Sequence, residues 1–280
     1  MNRHALCEAN IKQEDSSIRI QASGVLALKG NKDVSEIIER ANANTTTHLL
    51  HGDIALKVQR NADPCTATGC TWPKYGKYVY VPVSISSSYS FSDRITIIRG
   101  LLSFYKDTCI RFTKRRWWHR NYLYFFPGSG CWSYLGRQSR GQAISLQKNG
   151  CVYLGTVQHE ILHALGFHHE QVRSDRDDHV IINFDNIRDG TERNFEKVNT
   201  NNLGTPYDFD SVMHYSNMAF SKNGQPTIVA INDTAKVFGR AMKMSSNDTA
   251  RINELYKCSK FIDNGGNVLQ LSRHGAMLSL

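Results

Sequence analysis

Four segments of the chain alternate apolar and polar side chains as β-strands do. Such alternation, with β-branched and aromatic residues at the apolar positions, turns one face of a strand toward a core and the other away from it. The predicted strands are residues 78–83, 110–112, 122–126 and 143–146. They predict a sheet in the first half of the chain.

Two segments near these strands have the pattern of helices. Ser90 and Asp93 offer an N-terminal cap for a helix, since both residue types accept hydrogen bonds from free backbone N–H groups. Residues 33–41 predict a second, short and polar helix. The apolar positions of the first helix recur three or four residues apart, at Ile95, Ile98, Leu101, Leu102 and Tyr105.

The second half of the chain has a weaker pattern. After Gly166 the periodicity thins into loops and turns until Ser245 and Asp248, which cap a last helix that continues to Tyr256. Strands gathered in one region and helices in others predict an α+β protein, with a sheet packed against two helices.

Composition narrows the class of protein. The chain has 280 residues, of which 40% are hydrophobic, enough for one substantial core or two small ones. No apolar stretch approaches the roughly 18 to 20 residues that cross a bilayer, so we expect no membrane span. The formal charge is +9, and residues 61–280 carry most of it, with 26 basic and 18 acidic side chains.

One short run concentrates the chemistry of the chain. Residues 159–169 read HEILHALGFHH. On a helix, His159 and His163 lie on the same face and can bind one zinc ion. Gly166 can adopt the left-handed conformation that ends a helix, which returns His169 as a third ligand. The fourth position stays open for water, as catalytic zinc sites require.

This site predicts peptide-bond hydrolysis. Zinc lowers the pKa of a bound water to about 7, and Glu160 is placed to act as general base and then as acid toward the leaving amine. For the first five residues alone, a surface helix with two histidines and a glutamate is a real alternative. The longer pattern would occur by chance on the order of once in ten thousand such chains. We also expect Ser145 and its neighbours to form the edge strand that an extended substrate joins.

A second element, Ser-Val-Met-His-Tyr at residues 211–215, joins the extended histidine run in a pattern that resembles the astacin family of zinc endopeptidases, which are metzincins. The resemblance implies three zinc ligands (His159, His163, His169) for one Zn²⁺ per chain, and Met213 as the methionine of the turn. Tyr215 matches a tyrosine that ligates zinc at rest and later hydrogen-bonds the oxyanion. Without the resemblance, Tyr215 would be interpreted as a core residue.

The resemblance also implies an architecture. It predicts two lobes: an N-terminal lobe with a twisted, mostly parallel sheet and two long helices, and a mostly irregular C-terminal lobe with one terminal helix. The expected division is a pro-segment at residues 1–60, a peptidase domain at 61–258 and a tail at 259–280. The start of the peptidase domain at Asn61 is similar to that of mature hatching (choriolytic) enzymes.

The seven cysteines lack the spacing of a zinc finger and are better explained as disulfides. The family pattern pairs Cys109 with Cys258 and Cys131 with Cys151. Cys65 and Cys70 are close enough for a small additional loop, which leaves Cys7 over.

A Gly-Asp pair implies a latent precursor. Asp53 matches the aspartate that occupies the zinc site in zymogens of this family, although Leu50 stands where the family usually has phenylalanine. The alternative is an ordinary Gly-Asp turn. A trypsin-like protease acting at Arg60-Asn61 would then activate the chain.

The N-terminal residues contain no apolar core of the kind that export signals have, since Glu8 and Glu14 come early. We still expect secretion of a monomer, with the signal encoded upstream; the alternative is an intracellular product with reduced thiols. The basic, aromatic run at residues 114–120 could suit nucleic acid, but a solvated loop or a surface that attracts acidic glycoprotein is the simpler interpretation.

The predicted function is a secreted, zymogen-activated zinc endopeptidase that cleaves protein or glycoprotein of the egg envelope at hatching. A digestive or tissue-remodelling astacin is the close alternative. An inactive extracellular binding protein and a nucleic-acid-binding protein are the alternatives from other classes.

Overall fold

The computed structural model describes residues 33–56 and 70–258. Four α-helices lie within these ranges: α1 (Val34–Asn42), α2 (Phe91–Leu102), α3 (Leu154–Leu165) and α4 (Ser246–Leu255). None of the helices in these ranges is long and apolar enough to cross a bilayer.

An eight-stranded sheet forms the centre of the first half. The strands are β1 (Leu49–Leu50), β2 (Ile54–Ala55), β3 (Lys74–Tyr75), β4 (Tyr78–Ile85), β5 (Ile110–Lys114), β6 (Tyr122–Phe126), β7 (Cys131–Ser133) and β8 (Gly141–Leu146). Their order in the sheet is β1-β2-β7-β8-β6-β4-β3, and β5 also pairs with β4. The strand pairs β4 with β5, β4 with β6, and β6 with β8 are parallel.

Alternation in β4 explains how the sheet meets the helices. Val79, Val81 and Val83 are fully or almost fully buried, whereas Tyr80 on the opposite face is exposed. Hydrophobic burial on one face therefore fixes the register, because a slip by one residue would exchange the two faces.

The prediction that Ser145 lies in an edge strand is wrong. Its strand, β8, is interior: β6 pairs with one side and β7 pairs antiparallel with the other. The short strand β7 was missed because three residues show no useful periodicity. On the far side of β7 lies β2, with Ile54 in parallel register with Ser133.

Two helices pack against each other beneath the sheet. A capping box between Ser90 and Asp93 starts α2, as predicted. A Cβ added at Gly100 of α2 would lie 2.4 Å from Cγ1 of Val157 in α3. Glycine at this position therefore lets the two helices approach closely.

The second half has a separate hydrophobic cluster, which includes Phe195, Tyr215 and Ile228. It contains a small antiparallel pair, β9 (Val180–Ile182) and β10 (Ile228–Ala230), and short 3₁₀ turns. A capping box of Ser245 and Asp248 starts α4. The predicted α+β, two-lobed fold is confirmed.

Disulfides join distant parts of the chain. Cys109 is bonded to Cys258, 149 residues away, and Cys131 is bonded to Cys151. In the chain-entropy model, closing the longer loop stabilises the fold by about 5 kcal/mol. Cys70 is also disulfide-bonded, whereas Cys65, Cys7 and the predicted Arg60-Asn61 cleavage point lie outside the described residues.

Candidate metal centre

Helix α3 and the turn after it bring three imidazoles together. His159 and His163 lie one turn apart, with their Nε2 atoms separated by 3.0 Å. Gly166 ends the helix with a φ of 111°, a left-handed conformation that glycine adopts without strain. The chain then returns His169, whose Nε2 lies 3.2 Å from Nε2 of His159.

Backbone carbonyls fix the orientation of two of these rings. Nδ1 of His159 donates to the carbonyl oxygen of Val212 at 2.8 Å, and Nδ1 of His163 donates to that of Phe167 at 2.8 Å. With the proton on Nδ1, each Nε2 presents a lone pair to the common centre. Burial also lowers the pKa of His163 and takes that of His169 to about 3, which favours neutral imidazoles.

Asp53 contributes a carboxylate to the same centre. Its Oδ2 lies 2.9 Å from Nε2 of His159, and its Oδ1 lies 3.1 Å from Nε2 of His169 and 3.3 Å from Nε2 of His163. Burial disfavours the ionised carboxyl, yet attraction to positive charge at the adjacent histidines holds the pKa of Asp53 well below its ordinary value.

These donor atoms fit a zinc ion. One ligand atom from each of Asp53, His159, His163 and His169 lies within 4.8 Å of the others, and all four side chains are buried. Lone pairs and a carboxylate that face each other at this distance repel unless a cation lies between them. Three imidazoles and one carboxylate form the nitrogen and oxygen set of a four-coordinate zinc site.

The side chain of Glu160 lies beside this group. Both of its carboxylate oxygens are buried without a partner among the described residues. Burial, followed by the charge of Asp53, raises the pKa of Glu160 well above its ordinary value. A buried carboxyl of this kind is typical of a group that exchanges protons during a reaction.

The turn at residues 211–215 supports the histidines from below. Asp248, the third residue of α4 and part of its capping box, accepts hydrogen bonds from Ser211 Oγ at 2.6 Å and from the Val212 N–H at 3.0 Å. The carbonyl of Val212 in turn orients His159. Met213 is buried in the main core, and its carbonyl accepts from the N–H of Glu170.

Tyr215 reaches the centre from the second lobe. Its ring centroid lies 4.9 Å from that of His169, and its hydroxyl donates to the carbonyl oxygen of His51. A Cβ added at Gly52 would lie 2.9 Å from this hydroxyl, and the φ of Gly52 is 82°. Glycine at position 52 is therefore needed for the tight turn that presents Asp53.

A buried ionic cluster next to the third histidine was not predicted from the sequence. Glu170 pairs with Arg251 through two hydrogen bonds and with Arg173 at 3.1 Å, and it accepts from the N–H of Asp208 at 2.7 Å. These residues join the turn after α3 to α4. The available signal was a glutamate directly after His169, but its partners are too distant in sequence to be found without the fold.

Comparisons with known proteins agree with this geometry. The model of the peptidase family Astacin matches residues 67–257. Low choriolytic enzyme of Oryzias latipes is 44% identical over 230 residues, which cover 81% of this chain and 84% of that protein. The solved structure of High choriolytic enzyme 1, a hatching enzyme zinc-protease from the same fish, matches with a TM-score of 0.67 and 43% identity, over 71% of this chain and 100% of that one.

Replacement of one clustered histidine should abolish metal binding. We expect His163→Ala to lower zinc content from one ion per chain to a small fraction, because only two imidazoles remain. His168→Ala is the matched control, since His168 is a neighbouring histidine outside the group. Elemental analysis after dialysis measures the result, and equal zinc in both variants would contradict the assignment.

Acid should destabilise the fold partly through His214. Burial lowers its pKa to about 4, so the unfolded chain binds a proton more readily between pH 4 and the ordinary value near 6.5. Stability is therefore lost as the pH falls through this range, by roughly 2 kcal/mol between pH 7 and 5. Urea unfolding of the parent and of His214→Gln at both pH values tests this, and an identical pH dependence would refute it.

Proposed function

The chain belongs to the astacin family of peptidases and is a zinc metalloendopeptidase; we propose that it is a secreted, latent precursor whose mature form cleaves egg-envelope protein. The resemblance inferred from the histidine run and the turn at residues 211–215 is thereby confirmed. Latency, the residue roles and the physiological substrate are the proposed parts.

The single observation that carries the proposal of latency is the place of Asp53. Its carboxylate faces all three imidazoles at 2.9 to 3.3 Å. A carboxylate there occupies the position that water needs in a catalytic zinc site. Because Asp53 precedes the predicted cleavage point after Arg60, removal of the pro-segment would also remove this ligand.

Other contacts of the proposed pro-segment support the same conclusion. Glu39 of α1 pairs with Arg188 at 3.2 Å and accepts from the N–H of Phe220 at 3.0 Å. The amide of Asn42 accepts from the N–H of Cys131 at 2.8 Å and donates to its carbonyl at 2.7 Å. Asn42 thus occupies both backbone hydrogen-bonding groups at the start of β7.

The side of β7 that the proposed pro-segment covers would suit a peptide substrate. With residues 49–55 absent, β7 would become the free edge of the sheet next to the metal centre. An extended peptide can add to such an edge by backbone hydrogen bonds. We therefore assign to β7 the role that Ser145 and β8 were predicted to play.

Glu160 is proposed as the general base and acid. When bound at the three histidines, zinc supplies Lewis-acid activation of a water and polarises the scissile carbonyl. The buried carboxylate of Glu160 accepts a proton from the attacking water and delivers it to the leaving amine. Burial raises its pKa, and this suits the first step, since a carboxylate with an ordinary pKa would be a weaker base toward the attacking water.

Tyr215 is proposed to stabilise the oxyanion. Burial raises the pKa of its hydroxyl well above the ordinary value, so the group remains a hydrogen-bond donor at all working pH values. In the precursor this donor is bound to the carbonyl of His51. Loss of the pro-segment would release it for the developing negative charge of the substrate.

The choice of substrate rests on the similar proteins. Low choriolytic enzyme and High choriolytic enzyme 1 are named for action on the chorion, and this chain shares more than 40% of their residues over the aligned region. A digestive or tissue-remodelling role uses the same chemistry on other proteins. The carboxylate of Glu160 is buried without a hydrogen-bond partner among the described residues, next to a complete set of metal ligands. An inactive binding protein would have no need of such a carboxylate.

Loss of the Glu160 carboxylate should abolish hydrolysis and leave zinc in place. We expect Glu160→Gln in the mature form to lower kcat by roughly 10² to 10⁴, since the amide cannot accept the proton. Glu196→Gln, at an exposed position, is the control. Peptide hydrolysis and zinc content are measured together, and retained activity with normal zinc would disprove the role.

Loss of the Asp53 carboxylate should release activity without cleavage. The test uses a chain with Arg60→Ala, which blocks processing, with and without Asp53→Ala. The double variant should hydrolyse a fluorogenic peptide, whereas the Arg60→Ala parent should not. Asp185→Ala removes an exposed carboxylate from the same background and should remain inactive; equal latency of all three chains would argue against the switch.

The mature form should degrade isolated egg envelope in preference to casein or gelatin. The chain is cut after Arg60 and assayed on each substrate with and without a zinc chelator, with Glu160→Gln as the blank. Faster cleavage of casein and gelatin than of egg envelope would favour the digestive or tissue-remodelling alternative.

A further inference from the structure

A long part of the sheet carries positive charge without any carboxylate. Between Asp107 and Glu160 the sequence has eight Lys and Arg residues and no Asp or Glu. The eight cations lie on β5, in the loops between β5 and β8, or just after β8. Much of the excess positive charge of the chain is therefore concentrated on one sheet.

Three exposed arginines lie around the loop between β5 and β6. Arg116 and Arg120 belong to the loop, and Arg140 precedes β8. The N–H of Arg140 donates to Oδ1 of Asn121 at 2.8 Å, which places the two loops side by side. Within residues 33–56 and 70–258, no ion pair joins a carboxylate to any of these three arginines. Clustered like charges favour an external anion.

The same loop exposes two tryptophans. Trp117 is 88% exposed and Trp118 is 57% exposed, whereas Trp72 and Trp132 are buried. The two exposed rings meet edge to face, with centroids 5.4 Å apart. Exposed aromatic surface of this size next to unpaired cations is typical of an interaction site.

Arg115, at the start of this loop, is held in place because its guanidinium stacks on the ring of Tyr122. The guanidinium of Arg115 lies 3.9 Å from the centroid of the Tyr122 ring, and the backbone N–H of Arg115 donates to the carbonyl of Val83 at 2.8 Å. A Cβ added at Gly141 would lie 2.5 Å from Cζ of Tyr122, so the ring lies directly against the backbone of β8. Residues Arg115, Arg116, Trp117, Trp118, Arg120 and Arg140 are called the basic aromatic patch.

We propose that the basic aromatic patch binds a sulfated polysaccharide. Guanidinium groups bind sulfate oxygens through paired hydrogen bonds, as they bind phosphate and carboxylate. The exposed rings of Trp117 and Trp118 can stack on the apolar faces of sugar rings. The preference for a polysaccharide over nucleic acid rests on the proposed secretion, since both are polyanions.

The patch lies apart from the metal centre. Strand β8 separates β6 from β7. A row of aromatic rings runs from Tyr124 to Phe126 and then to the buried Trp132 of β7, with ring centroids 6.0 and 5.7 Å apart. A polysaccharide on the patch would hold the protein on a matrix while the histidine site stays free for peptide.

Binding is tested with heparin as the probe and the full-length precursor. The triple variant Arg116→Ser, Arg120→Ser and Arg140→Ser should raise the Kd for heparin roughly tenfold or more, because three anion contacts are lost. The matched control removes the same charge at three other exposed positions (Lys236→Ser, Arg240→Ser, Lys243→Ser) and should change the Kd little. An equal increase of the Kd in the two variants would mean that only net charge matters, and this would overturn the proposal.

The tryptophans give a second and independent readout. Heparin should shift the fluorescence emission of the parent, and it should not shift that of Trp117→Ala, Trp118→Ala, because the two remaining tryptophans are buried. This double variant should bind more weakly with an unchanged salt dependence, since stacking is not ionic. An unchanged Kd in the double variant would contradict the role of the rings.

Two further probes separate the classes of partner. Patch-dependent binding to double-stranded DNA that is tighter than binding to heparin would indicate a nucleic-acid site. Patch-dependent binding to phosphatidylcholine–phosphatidylserine vesicles that exceeds binding to heparin would indicate a membrane surface. Either result overturns the proposal. None of these assays uses peptidase activity, so their failure is distinguishable from failure of the proposed function.

Discussion

Three imidazole lone pairs and one carboxylate meet at a single buried point, and this convergence is the constraint on which the rest of the structure depends. Such an arrangement is unfavourable without a cation and becomes favourable with one. The surrounding fold is arranged to make it possible. Backbone carbonyls of Val212 and Phe167 hold protons on the outer nitrogens of two rings, so the inner nitrogens remain ligands.

The support extends from the rings into both lobes. Val212 is held by Asp248, which also accepts from the N–H of Ser245 in the capping box of α4, so α4 takes part in orienting His159. The disulfide between Cys109 and Cys258 joins the region after α4 to the start of β5. Binding of metal and stability of the second lobe are coupled through these contacts, because loosening of α4 would also disturb the ring orientation.

The sequence predicted features that depend on neighbouring residues. The capping boxes at Ser90 and Ser245, the helix that carries His159 and His163, and the turn at Gly166 all follow from local spacing. The predicted strands at residues 78–83 and 122–126 were also found, the first of them two residues longer. Each of these elements has enough residues for its period to be visible.

Features that depend on distant residues were missed. Strand β7 is only three residues long, and its pairing with β2 and β8 is set by the fold, so β8 was wrongly predicted to be an edge strand. The partners of Glu170 lie up to 81 residues away. The hydrogen bond between Asn42 and Cys131 could not be predicted from the sequence, because it forms only where α1 meets the start of β7.

The noncovalent contacts of α1 have a consequence for the proposed maturation. Its contacts through Glu39 and Asn42 are noncovalent, so scission of the backbone after Arg60 would leave them intact. What scission changes is the tether: a ligand held at high effective concentration becomes a separate molecule that must dissociate. The severed peptide would therefore act as a reversible inhibitor in trans, and dilution would govern the onset of turnover.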